Sequence, residues 1–297
     1  MSRRGEATKQ MVAFEAYRAV AWIGRTLPER IGRRVFTWAG RLSFRALPGV
    51  RATVAENQAQ VLGRPVDDPL VRTATRQAFE RYARYWFDTF HVGRLSAEEL
   101  HGRFHVEGFE HVEAAHDAGN GLVMVMPHMG NWDVGGRWMA TRGERLVSVA
   151  ERLEPDRLFR LFLQHREDLG MEIIGTHDRG VGQRLATALG QNRMVCLVAD
   201  RDLSGRGVEV SMFGAVRRLP AGPALLAISA GAPLIVVSIT EDRGDWRCVF
   251  GRPLEVPLTG NRRDDVRALS VAMAAGFERA IASSPPDWHM FQPGWGS

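Results

Sequence analysis

Between Gly121 and Asp200 the chain changes rhythm every few residues: GLVMVMP, NWDVGGRWMATRG, RLVSVAE, PDRLFRLFLQHREDLG, MEIIGT, VGQRLATALGQ and RMVCLVAD. Short apolar runs alternate with segments whose apolar residues recur at helical spacing. Strands separated by helices of this length pair in parallel, because each crossover returns the chain to the starting edge of the sheet. The alternation therefore predicts an α/β fold with a central, mostly parallel or mixed sheet flanked by helices. Further strands are expected at GVEVSMF, APLIVVSIT and WRCVFGRPLEV, and helices near Pro223–Ala230 and Arg263–Ala282.

Ahead of this core, residues 11–25, 30–47 and 69–92 show helical periodicity, punctuated by Pro48-Gly49 and Gly63-Arg64-Pro65. A short alternating run, RFHVEG, and a helix, FEHVEAAHDAG, closed by Gly119, lead into the sheet. At 297 residues and 45% hydrophobic content the chain can bury one large core. The expected organisation is a single domain over 1–297, with a helical, basic, membrane-facing segment over about 1–92 and an α/β catalytic core over about 103–297.

Charge placement says more than the net +5. Residues 1–51 hold Arg3, Arg4, Lys9, Arg18, Arg25, Arg30, Arg33, Arg34, Arg41, Arg45 and Arg51 against Glu6, Glu15 and Glu29, interleaved with Phe14, Tyr17, Trp22, Ile23, Val35, Phe36 and Trp38. Basic amphipathic helices carrying tryptophan suit an anionic membrane surface, while a solvated helical face explains the same pattern equally well. No nucleic-acid-binding motif is present, so nucleic acid is not an expected partner. The stretch Val12–Leu27 is interrupted by Glu15, Arg18 and Arg25, which predicts neither a transmembrane span nor a secretory signal. Cys196 and Cys248 lie in apolar runs without zinc-ligand spacing and are expected to stay reduced in the core.

In open parallel sheets ligands bind at the carboxyl ends of strands. The run GLVMVMP delivers His128, then Gly130, Asn131, Trp132 and Asp133. Asn131 is a good N-cap, and Gly130 can fold Asp133 back toward the imidazole. A carboxylate on one imidazole nitrogen leaves the other as a proton acceptor. The decapeptide MVMPHMGNWD contains no serine or cysteine, so the pair is expected to activate a hydroxyl of the substrate. The plainer reading is a capped turn with a satisfied histidine. Two later strands end in Glu151-Arg152 and Asp200-Arg201-Asp202, which suggests one polar cleft at a shared edge. Arg160, Arg166 and, in the loop before Pro220, Arg217-Arg218 are placed to pair phosphates or carboxylates.

Other patterns fail. The stretch from Ala227 through Ser229 to Gly231 lacks the first glycine of a nucleophile elbow and falls in an expected helix. His101 and His105 have metal-ligand spacing only on a helix, and Gly102 with the alternating run argues for a strand, so no metal site is expected. Gly180-Val181-Gly182 is too short for a dinucleotide fingerprint.

The segment PHMGNWD resembles the H-x-x-x-x-D motif of the glycerolipid and lipid A acyltransferases, in the branch where G-N-W follows the histidine. The resemblance continues through VAERLEP, FLQHREDLGMEII, VCLVADRDLSGRGVEVSMFG, RRLPAGPALLAISAGAP and PPDWHMFQP, roughly residues 50–293. Within that branch it is most similar to the phosphatidylinositol mannoside acyltransferases, except that position 200 is aspartate where that subgroup leads one to expect glutamate. The resemblance implies transfer of a long fatty acyl chain from acyl-CoA, as substrate and with no resident cofactor, to a mannose hydroxyl of mannosylated phosphatidylinositol. It implies a peripheral protein at the cytoplasmic face of the plasma membrane. It also implies His128 as general base with Asp133 as motif partner, and Glu151 and Asp200 as further catalytic candidates. Arg166, Arg152, Arg201 and Asn131 are the candidate substrate-binding residues. Which of Asp133 and Asp200 touches His128 stays open. The alternatives are a lipid A-type lauroyl or myristoyl transferase using acyl-carrier protein, an acyl-CoA hydrolase, or a non-catalytic lipid-binding protein.

Overall fold

The computed structural model describes residues 3–295; the side chains of Arg3, Arg4, Glu6 and Lys9, part of the expected basic face, lie outside the described part. Helices α1 (Arg3–Thr26), α2 (Glu29–Ala46), α3 (Pro48–Leu62), α4 (Pro69–His91) and α5 (Ala97–Arg103) come first. The core follows as β1 (Phe104–Glu107), α6 (Glu110–Asp117), β2 (Leu122–Met126), α7 (Trp132–Thr141), β3 (Leu146–Ala150), α8 (Asp156–Asp168), β4 (Glu172–Gly175), α9 (Val181–Gly190) and β5 (Met194–Val198). It closes with β6 (Val208–Met212), β7 (Ala215–Leu219), α10 (Gly222–Ala230), β8 (Leu234–Asp242), β9 (Asp245–Phe250) and α11 (Arg262–Ser283).

Seven strands form one sheet in the order β1-β9-β8-β2-β5-β3-β4. Strands β8, β2, β5, β3 and β4 run parallel, and β9 turns back antiparallel to β8 with β1 parallel to it. Every residue of β2 is buried, as expected of a strand covered on both faces. Val123 and Val125 face the layer of α9, α10 and α11, while Leu122, Met124 and Met126 face α7. After β2 the chain crosses to β3 on one side, and after β5 it crosses to β8 on the other. The neighbouring carboxyl ends of β2 and β5 therefore flank a topological switch point, where crevices form in such sheets.

The break expected at Pro48-Gly49 falls between α2, which ends at Ala46, and α3, which Pro48 opens because proline at the first helical position has no N–H to leave unpaired. Two local expectations are corrected. Residues 97–103 form α5, started by a Ser96/Glu99 capping box, so His101 is helical and only His105 lies on a strand. Arg217 and Arg218 stand on β7, paired with β6 in a hairpin, where alternation buries the first and exposes the second.

Helix α2 packs on α4 through a stripe of Gly32, Phe36 and Gly40. A Cβ on Gly32 would overlap the Phe87 ring, and one on Gly40 would overlap the Phe79 carbonyl. Arg33 is not part of any membrane-facing surface: it donates to both oxygens of buried Asp88, at 3.0 and 2.6 Å. The opposite face of α2 exposes Ile31, Val35, Trp38 and Leu42, flanked by Arg30, Arg34, Arg41 and Arg45.

Candidate active site

The ladder between β2 and β5 ends with Met126 opposite Val198, and two residues further along each strand stand His128 and Asp200. Parallel strands in register carry equivalent side chains on one face. The His128 Nδ1–H meets Asp200 Oδ1 directly. The other carboxylate oxygen accepts the indole N–H of Trp288 at 2.8 Å, and the Asp200 carbonyl accepts Nε and Nη2 of Arg217 at 3.1 and 2.7 Å. Asp200 is fully buried, and burial alone would push its carboxyl up. The His128 ring, followed by Arg217 and the Trp288 N–H, outweighs burial and holds it well below the usual carboxylate range. With Nδ1 committed, Nε2 of His128 is left as a proton acceptor, and the ring remains about a quarter exposed.

The turn that carries His128 is held from across the chain. Gly130 N donates to the Asp287 carbonyl at 3.0 Å, His289 N donates to the His128 carbonyl at 2.6 Å, and the His289 Nε2–H donates to the Gly130 carbonyl at 2.9 Å. Gly130 has φ +59°, and a Cβ there would overlap the Ile239 carbonyl, so the position admits only glycine. The segment 287–289 thus grips the turn of the histidine and, through Trp288, the aspartate.

Asp133 does not face the histidine. Asn131 caps α7 as expected, accepting Asp133 N and Val134 N at 3.1 and 3.2 Å, and its amide N–H groups reach the Tyr85 carbonyl and Thr89 Oγ1. The cap sets the first turn so that the fully buried Asp133 carboxylate points toward α8 and α4. There it accepts Arg166 Nε at 2.7 Å and the Tyr85 hydroxyl at 3.3 Å. Asp133, fully buried, and Arg166, part-buried, therefore form an ion pair tying α7 to α8, and Asn131 has no free donor or acceptor to offer a substrate. Glu151 is exposed at the end of β3, and Arg152 pairs with Asp156 at 2.6 Å. Neither reaches the His128–Asp200 pair.

Two spaces lie near that pair. A narrow apolar tunnel of about 60 Å³ runs beneath the sheet against α7, lined by Met124 and Met126, Cys196 and Val198, Ser148, Arg166 and Trp132, and it approaches the pair only through Trp132. Trp132 stands edge-on to the His128 ring, with centroids 5.7 Å apart. Gly135 and Gly136 of α7 also line this space, where side chains would meet Ile239 and Met171. On the Asp200 side lies a polar cleft of about 510 Å³ between the loop 200–205, β7 and residues 290–294. Among the described residues no serine, threonine or cysteine hydrogen-bonds the imidazole. Burial pushes the Cys196 thiol up to about 12, so it stays protonated. Among the described residues no three His, Cys, Asp or Glu side chains converge as a metal site, and no helix is long and apolar enough to cross a membrane.

Trp288, the buried role of Arg217 and the tunnel lining leave no local signal in the sequence. The nearest signal was the segment PPDWHMFQP, legible only as part of a resemblance.

A family model described as bacterial lipid A biosynthesis acyltransferase matches residues 3–297. The phosphatidylinositol mannoside acyltransferase of Mycolicibacterium smegmatis is 37% identical over 283 residues, covering 93% of this chain and 90% of that protein. The protein of the same name from Mycobacterium tuberculosis H37Rv is 37% identical over 286 residues, covering 93% and 87%.

Proposed function

The chain belongs to the bacterial lipid A biosynthesis acyltransferase family and is an acyltransferase; from that premise we propose that it moves a long-chain fatty acyl group from acyl-CoA to a mannose hydroxyl of a mannosylated phosphatidylinositol. The single observation that supports this most is the position of the His128–Asp200 pair beside a polar cleft and, across Trp132, an apolar tunnel, with no nucleophile of the described residues on the imidazole.

In this reading the acyl tail lies in the tunnel with its thioester carbonyl beside Trp132. The acceptor hydroxyl enters from the cleft, and Nε2 of His128 takes its proton as the oxygen attacks the carbonyl carbon. Asp200 holds the ring in the required tautomer and stabilises the imidazolium. Collapse of the tetrahedral intermediate breaks the carbon–sulfur bond, and the imidazolium returns its proton to the departing CoA thiolate. Such general-base catalysis is typically worth ~10²–10⁴-fold, the remainder coming from fixed orientation of the two substrates. The exposed apolar stripe of α2 between arginines supports a peripheral position on an anionic membrane; in this reading that membrane is the plasma membrane, met from its cytoplasmic face.

The test is a panel of donors and acceptors with mass spectrometry of the product. An acylated mannoside formed from acyl-CoA supports the proposal. Turnover confined to acyl-carrier protein and a lipid A precursor overturns it, as does thioester hydrolysis that ignores the acceptor.

A further inference from the structure

The polar cleft beside Asp200 contains an unbalanced charge. Arg201 follows Asp200 directly, donates through Nη2 to Gln292 Oε1 at 2.7 Å, and has no carboxylate of the described residues within 4.0 Å of its guanidinium nitrogens. Arg218, across the cleft on β7, is half exposed and meets Glu209 only at 3.5 Å. The third guanidinium, Arg217, is spent inside the protein: it donates to the Asp200 and Gly294 carbonyls and lies between the Trp288 and Trp295 rings, 5.2 Å from each.

The two carboxylates in the cleft wall are also committed. Asp200 is taken by His128 and Trp288, and Asp202 accepts the Ser204 and Gly207 amides and the Ser204 hydroxyl. What the cleft offers a ligand is therefore the free edge of one guanidinium with a second nearby, the donor set that binds phosphate bidentately. The rim carries two exposed apolar side chains, Leu203 and Val216. A charged floor under an apolar rim fits an amphiphile whose phosphate is joined to greasy chains.

We propose that this cleft is the binding site for the phosphodiester of the acceptor lipid, with Arg201 as its principal anchor and Arg218 as the second cation. The inference rests on the functional reading above, because it takes the cleft as the acceptor side of the His128–Asp200 pair. The donor also carries phosphates, but a whole pantetheine arm separates them from the reacting carbonyl. This cleft begins at Asp200 itself, so its anion belongs to a molecule whose phosphate lies close to the attacking hydroxyl. Anchoring the phosphodiester there fixes the distance from phosphate to hydroxyl and selects acceptors in which that distance suits His128.

The test is calorimetric binding of glycerophosphoinositol, the water-soluble headgroup, to the full chain, with myo-inositol and CoA as comparisons. The expected result is binding of glycerophosphoinositol, much weaker binding of myo-inositol, and no displacement by CoA. Hydrogen bonds to a charged group are worth about 1.5–3 kcal/mol, so Arg201→Gln should weaken headgroup binding roughly 10–100-fold, with Arg201→Lys in between. Circular dichroism of each variant, unchanged from the wild type, shows that the loss is local. Equal affinity for headgroup and myo-inositol, displacement by CoA, or unchanged binding by Arg201→Gln overturns the proposal. Headgroup binding by a protein that acylates no mannoside leaves this site standing and removes the functional reading. Acylation with unchanged acceptor affinity in Arg201→Gln does the reverse.

Discussion

His128 and Asp200 face each other because they stand two residues beyond the same register pair, Met126 and Val198, on adjacent parallel strands. The aspartate that is near in sequence, Asp133, is turned by the Asn131 cap toward Arg166. The capped turn thus separates two residues five apart, while strand pairing joins two residues 72 apart.

Asp133 accordingly supports stability. Removing one partner of a buried ion pair strands the other charge and costs about 3–5 kcal/mol. Asp133→Ala should lower the urea midpoint correspondingly, and adding Arg166→Met should recover part of the loss. A double variant less stable than the sum of the two single changes would show that the pair is not the stabilising unit.

The tunnel should set acyl preference. Cys196 lies abreast of Met124 on one side and Ser148 on the other, near the middle of the lining. Cys196→Phe should block the far end. Each buried CH₂ is worth ~0.8 kcal/mol, roughly fourfold per methylene, so kcat/KM for palmitoyl-CoA should fall well over tenfold while octanoyl-CoA is little affected. An equal loss for both donors would place the acyl chain elsewhere.

Burial lowers His289 to about 3, opposed by its hydrogen bond to Gly130 and helped by the nearby Arg81 guanidinium. The unfolded chain binds this proton near pH 6.5 and the folded chain does not. Stability is therefore complete above about 6.5 and declines as pH falls toward about 3, by up to about 1.4 kcal/mol per unit. His289→Gln keeps an N–H for Gly130 without the titrating nitrogen, and its stability between pH 6 and 4 should fall less steeply than that of the wild type. Parallel slopes would assign the acid sensitivity to other groups.

Membrane attachment should depend on the outer face of α2. Each arginine near an anionic surface is worth about 1 kcal/mol, so replacing Arg30, Arg34 and Arg45 together by Gln should weaken binding to vesicles containing anionic lipid by roughly two orders of magnitude. Unchanged binding would mean that this face meets solvent.

The alternation from β2 to β5 and the cap at Asn131 were legible in the sequence because they depend on neighbours a few residues away, whereas the turn at Gly130 is held by Asp287 and His289 from the far end of the chain. The partner of His128 was not, because it depends on which strand lies beside β2, and that is decided by the crossovers. Arg217 stands on a strand that AVRRL alone does not declare, because the segment has too few apolar positions. Its burial comes from Trp288 and Trp295, both far along the chain. The apolar stripe of α2 was visible, yet Arg33 on the same helix turned inward to Asp88, a pairing 55 residues distant.

The central claim is that His128, oriented by Asp200, deprotonates the acceptor hydroxyl. Asp200→Asn keeps the size of the side chain and removes the charge that stabilises the imidazolium. Pre-steady-state transfer from palmitoyl-CoA to mannosylated phosphatidylinositol should slow by ~10²–10⁴-fold in this variant, with donor binding unchanged. Transfer at the wild-type rate would contradict the account.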